Sequence, residues 1–139
     1  MPDPYDLKRF LDAQAGAIDA VRAELGRGRK ASHWMWFVFP QIRGLGSSAM
    51  AQRYAISSLD EARAYAAHPV LGARLVECAA LVLAVETRSV REIFGTPDDL
   101  KFHSSMTLFA RAAPDEPVWR RALEKFFAGR EDAATLKRI

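Results

Sequence analysis

An all-α fold, a single compact multihelical domain over residues 1–139, is what this sequence predicts, and three observations predict it. Apolar side chains recur at steps of three and four from Leu7 to Leu25. Three S/T-x-x-E/D boxes follow, the pattern in which a hydroxyl caps an orphan amide and an acid answers three residues on. No run alternates apolar and polar residues beside a hairpin signal, so a strand would have no partner. The expected architecture is about seven short helices around two buried central helices.

Leu7, Phe10, Leu11, Gln14, Ile18, Val21 and Leu25 form the first helical face. Gly16 kinks this stretch or splits it in two, and Gly26 and Gly28 end it. Trp34 to Phe39 is ambiguous: its aromatics suit a strand, yet a lone short strand has nothing to pair with, and Pro40 closes it either way. The glycine-rich Gly44 to Ser48 opens a helix. Ser58 with Glu61 opens another towards His68, and Pro69 starts the next, through Val85. Ser89 with Glu92 opens a short helix ending at Gly95. Thr96 with Asp99, and Pro97 at the first helical position, opens one towards Arg111. Asp115, Glu116 and Pro117 start a helix that Gly129 stops, and a final turn runs from Asp132 to Arg138. The apolar segments Leu75 to Val85 and Met106 to Phe109 mark the two central helices.

A chain of 139 residues buries roughly two thirds of its unfolded surface. It needs neither disulfide nor metal to fold. Cys78 is the sole cysteine, which excludes an intrachain disulfide, and its apolar neighbours make it a buried thiol. The histidines His33, His68 and His103 fall in no metal-ligand spacing, so no metal and no cofactor are expected. His68, just before Pro69, reads as a helix cap. No basic-then-apolar leader opens the chain, and its longest apolar stretch is far short of the ~20 residues that span a bilayer. The expectation is a soluble cytoplasmic protein without a membrane partner. Net charge is +3, from 20 Lys and Arg against 17 Asp and Glu. A dedicated nucleic-acid binder carries a stronger bias.

The segment Gly28 to Ser48, GRKASHWMWFVFPQIRGLGSS, sets cations, a histidine and an amide beside a large aromatic surface. That mixture suits the wall of a ligand pocket. Lys30 and Arg43 supply charge, Trp34 and Trp36 supply stacking faces, and Gln41 supplies a polar contact. Gly44 to Ser48 offers free amides at a helix start, where an anion is favoured, and Ser48 is equally an ordinary N-cap. The second polar cluster is DDLKFHSS, Asp98 to Ser105. On a helix, Asp98, Lys101 and Ser105 share one face, and Asp99 and His103 stand four apart, where a carboxylate can orient an imidazole.

Three blocks, SHWMWFVFPQIRGLGSS (Ser32 to Ser48), YAISSLDEARAYAAHPVLGARL (Tyr54 to Leu75) and IFGTPDDLKFHSSMTLF (Ile93 to Phe109), resemble the bacterial and fungal family called domain of unknown function 1810. The likeness runs from Asp6 to about Leu136. It implies a multihelical fold with two buried central helices and carries no established activity. Its signature positions include Lys30, His33, Trp34, Trp36, Gln41, Ser48, Asp98, Lys101 and Ser105 in this sequence. Some members bear the label calpastatin, a protease inhibitor, but nothing here looks like an inhibitory repeat. Phe102-His103 departs from the family's pattern and weakens the case for His103 as a functional residue.

These readings lead to three expectations. The first is a pocket for a small anionic ligand, nucleotide-like or otherwise phosphorylated. Its walls would be Lys30, Trp34, Trp36, Gln41, Arg43, Ser48, Lys101 and Ser105, and His33 or Asp98 would serve any proton transfer in a hydrolase or transferase. The second is a non-catalytic module using Arg120, Arg121, Lys125, Arg130, Lys137 and Arg138 to contact nucleic acid or an acidic protein partner. The third is a domain whose unusual residues are structural.

Overall fold

A computed structural model describes residues 2–139, and ten helices carry them. They are α1 (Lys8–Ala15), α2 (Ile18–Gly26), α3 (Met35–Val38), α4 (Ala49–Arg53), α5 (Leu59–Ala67), α6 (Leu71–Leu83), α7 (Val90–Phe94), α8 (Asp98–Ala112), α9 (Val118–Phe127) and α10 (Ala133–Leu136). Among the described residues the one β-type pairing is an isolated parallel bridge between Ile42 and Ile56. The all-α expectation holds. The count exceeds seven because α3, α4, α7 and α10 are single turns, too short to leave a periodic signal.

Local chemistry sets the boundaries. Gly16 separates α1 from α2. Ser58 caps the amide of Glu61, and Ser89 with Glu92 forms the complete reciprocal box. The third box is built differently from the expected one. The Thr96 hydroxyl donates to the Asp99 carboxylate at 2.8 Å, while the Asp99 amide bonds the Gly95 carbonyl, and Pro97 stands just outside α8. His68 Nδ1 accepts from the amides of Val70 and Leu71, capping the start of α6. Ala128 and Gly129 take positive φ and stop α9.

The two central helices are unequal. In α8, Phe102, Ser104 to Ala110 and Ala112 are all buried. In α6, Leu71, Leu75, Cys78, Ala79 and Val82 face inward while Ala73, Glu77 and Ala80 face water. Phe39, Phe94 and Phe102 pack edge-on and stacked, with ring centroids 4.9–5.9 Å apart. This aromatic knot joins the segment after Trp34 to the front of α8. Burial pushes the Cys78 thiol up to about 12. Cys78 in the native protein is therefore expected to resist iodoacetamide at pH 8 and to react once the chain is unfolded in urea. Rapid native alkylation, followed by mass spectrometry, would show that α6 opens.

No single helix among the described residues is long and apolar enough to cross a membrane.

Candidate functional site

The site begins with a carboxylate that the helical pattern hides. Glu24 stands near the end of α2 and is 5% exposed. Its Oε1 accepts from the Ala31 amide at 2.6 Å, the Ser32 amide at 2.9 Å and the Trp34 indole N–H at 2.9 Å. Its Oε2 accepts from the Ser32 hydroxyl. Burial raises the pKa of this carboxyl, but the four hydrogen bonds outweigh burial and pull it from 4.5 to about 2. The loop leaving α2 is thus wound around one anion, and Trp34 is fixed in the core at 1% exposure.

The same loop carries Lys30 to α8. The Lys30 amide donates to the Ile93 carbonyl at 2.7 Å. Its ammonium lies 2.9 Å from Asp98 Oδ2 and 5.3 Å from the Trp34 ring centroid. Lys101 approaches the other oxygen of Asp98 at 3.5 Å and stands 5.4 Å from the Trp36 ring centroid. The two polar blocks of the sequence therefore meet in space, with Asp98 between two lysines and each lysine over a tryptophan. The Lys30 side chain is only 8% exposed, so its charge is committed to Asp98.

Beside this cluster lies a cavity of about 470 Å³, lined by Trp36, Gln41, Ile42, Arg43, Gly44, Gly46, Ser47, Ala51, Gln52, Tyr54 and Ala55. The Ile42–Ile56 bridge builds it. The Arg43 amide donates to the Ile56 carbonyl and the Ile56 amide to the Gln41 carbonyl, which draws the two chain segments together. Gln52 Nε2 ties the carbonyl of Ser47 at 2.8 Å and shapes the rim. No carboxylate is among the lining residues.

The remaining sequence-derived candidates fall elsewhere. His33 is exposed and does not line the cavity. Ser48 accepts from the Ala51 amide as the N-cap of α4. Ser105 is fully buried in α8, and its hydroxyl is without a hydrogen-bond partner. His103 does not meet Asp99: its Nε2 lies 2.7 Å from the Arg130 carbonyl, and its ring stacks on Phe127. Of the cations near the C-terminus, Arg120 pairs with Glu131, and Lys125 donates to the carbonyls of Leu83 and Val85 at the end of α6.

The family model for a protein of unknown function, DUF1810, matches residues 4–139. The chain belongs to the DUF1810 family. It is also similar to a solved structure, the crystal structure of the conserved hypothetical protein Rv1873 from Mycobacterium tuberculosis, at 58% identity and a TM-score of 0.96. The alignment covers 97% of this chain and 96% of that one. Among curated proteins nothing matches.

Three organising residues of this DUF1810 chain were absent from the sequence-derived site: Glu24, Arg9 and Gln14. Arg9 donates to the carbonyls of Arg53 and Ala55 on either side of Tyr54, and to Glu61 at 2.8 Å, so it holds one cavity wall. Gln14 donates to the Phe37 carbonyl at 2.7 Å and so holds the segment that bears Trp36. Gln14 was visible as a polar residue on an apolar face. Glu24 stands three residues after Val21 and beside Leu25, and the same stripe would have exposed it.

Proposed function

We propose that this cavity binds a small anionic ligand with a flat unsaturated part, a nucleotide-like or similarly phosphorylated compound. One observation carries the reading: an aromatic wall, Trp36 with Tyr54, stands beside Arg43 in a lining without a carboxylate. Trp36 is half-buried, so a face remains for a planar ring. Lys101 near that ring and Arg53, 5.4 Å from the centroid of Tyr54, add positive potential at the edges. The volume falls within the range of small-molecule sites, roughly 300–1,000 Å³. The reading is one of binding, because neither His33 nor Asp98 lines the cavity.

Thermal shift with AMP, GMP and ADP-ribose, each beside its uncharged nucleoside, tests the proposal. A ligand at a hundred times its Kd stabilises the native state by about 2.7 kcal/mol. The expected result is a rise in Tm with at least one phosphorylated compound, smaller with the nucleoside and lost in both Trp36→Leu and Arg43→Ala. No rise with any of the three, or a rise that survives both substitutions, overturns it.

A further inference from the structure

The last helical turn, α10, is anchored by polar groups that are partly or fully buried. Asp132 Oδ2 accepts from the Thr135 amide, the Thr135 hydroxyl and the Ser104 hydroxyl, and the Asp132 amide donates to Thr107 Oγ1. Thr135 is fully buried. These bonds pin α10 to α8. Arg138 follows two residues after α10, and its guanidinium donates back to the Ala134 carbonyl at 3.0 Å. From there its side chain lies across Gly44, the cavity residue next to Arg43. A Cβ placed on Gly44 would stand 2.8 Å from Arg138 Nε and 3.4 Å from Cδ. Gly44 also holds a φ of 100°, a conformation that glycine adopts without strain. Gly44 thus lacks a side chain for its backbone conformation, and the exposed Arg138 side chain would have to shift to admit one.

Glu131 pairs with Arg111 and Arg120. Arg43 and Arg138 form no such pair among the described residues. We propose that Arg43 and Arg138 form an anion seat on either side of Gly44, and that the group it takes is phosphoryl or pyrophosphoryl. One guanidinium fork satisfies a carboxylate. Two forks suit a group with several oxygens and a charge near −2. This deepens the cavity reading, since the seat would hold the charged end of the ligand and Trp36 its flat end. Arg138 comes from the far end of the chain, so the site is complete only when the C-terminal turn is docked.

Calorimetric titration with inorganic pyrophosphate at low ionic strength tests the seat without any aromatic part. The wild-type chain is expected to bind. Arg138→Gln is expected to bind at least about tenfold more weakly, the effect of losing a charged hydrogen bond. Gly44→Ala keeps every charge but displaces the Arg138 side chain, and is expected to weaken binding as well. Arg121→Ala, on α9 and outside the cavity lining, is expected to match wild type. Absence of pyrophosphate binding overturns the proposal. So does wild-type affinity in Arg138→Gln, whatever Gly44→Ala does, and so does an equal loss in Arg121→Ala. A phosphorylated aromatic compound that needs Trp36 and Arg43 but not Arg138 would remove the seat and leave the pocket. Pyrophosphate binding without any aromatic ligand would do the reverse.

Discussion

Gly72→Ala is expected to cost about 3 kcal/mol and to lower Tm by about 10 °C. The helices α5 and α6 meet at a bend of 88°, and Gly72 stands in the first turn of α6, buried under the end of α5. A Cβ there would lie 2.1 Å from the Ala66 carbonyl oxygen and 2.9 Å from its carbon. These are backbone atoms, so no rotamer change relieves the overlap, and the two helices must part. Parting them loosens Leu71, Leu75 and Tyr65, all fully or almost fully buried. Alanine gains about 1 kcal/mol over glycine in a helix, which offsets only part of the loss. Gly16→Ala is the matched control. Its φ is −92°, and nothing lies within 4 Å of the added methyl group. There the same change is expected to be neutral or to stabilise by about 0.4–1 kcal/mol. Denaturation of both variants decides the matter: equal midpoints would mean that the α5–α6 corner is not fixed by this contact.

This contrast marks what could be read in the sequence. Helix starts were legible at Ser58, Ser89 and Asp132, because each cap acts within three residues of itself. Gly16 and Gly129 were legible as punctuation for the same reason. The run from Trp34 to Phe39 was not, since four helical residues between Trp34 and Phe39, both in irregular backbone conformations, carry no period. Its conformation is set from outside, by Glu24 on Trp34 and Gln14 on the Phe37 carbonyl. The cavity is a similar case. Trp36, Gln41 and Arg43 stood out as an aromatic and polar mixture, whereas the facing residues Ala51, Gln52 and Ala55 are unremarkable in type. The bridge from Ile42 to Ile56 brings them together, and backbone pairing of that kind leaves no mark on residue identity. The meeting of Lys30 with Asp98 joins residues 68 positions apart, and opposite charge in two aromatic blocks was its only trace.

Removing Glu24 is expected to have the second large effect, and one that reaches the cavity. A carboxylate near the C-terminus of a helix has the wrong sign for the helix dipole. Its presence at the end of α2 is decided by the four donors it satisfies. Glu24→Ala leaves the Trp34 indole N–H and the amides of Ala31 and Ser32 without their acceptor. Each orphaned donor costs about 1–3 kcal/mol when buried, so a loss of about 3 kcal/mol or more is expected. Glu24→Gln keeps an acceptor oxygen and is expected to lose less. The pH dependence separates charge from shape. The folded carboxyl titrates at about 2 against an ordinary value of 4.5. A lowered folded value means that the charge stabilises the fold fully above about pH 4.5 and progressively less as pH falls towards 2. The stability gap between wild type and Glu24→Gln should therefore be widest at neutral pH and should close near pH 2. A gap that stays constant from pH 7 to pH 2.5 would mean that the charge of Glu24 contributes nothing. Other carboxylates also titrate in this window, notably Glu131, which its hydrogen bond from Arg111 holds low, but they cancel in the difference. Because the loop that Glu24 gathers leads directly into Trp34 and Trp36, Glu24→Ala should also weaken any ligand that stacks on Trp36. Arg138→Gln, which leaves that loop alone, should not loosen Trp34. Trp34 is buried and Trp36 half-buried, so fluorescence quenching by iodide distinguishes the two lesions: it should rise in Glu24→Ala and stay at the wild-type level in Arg138→Gln.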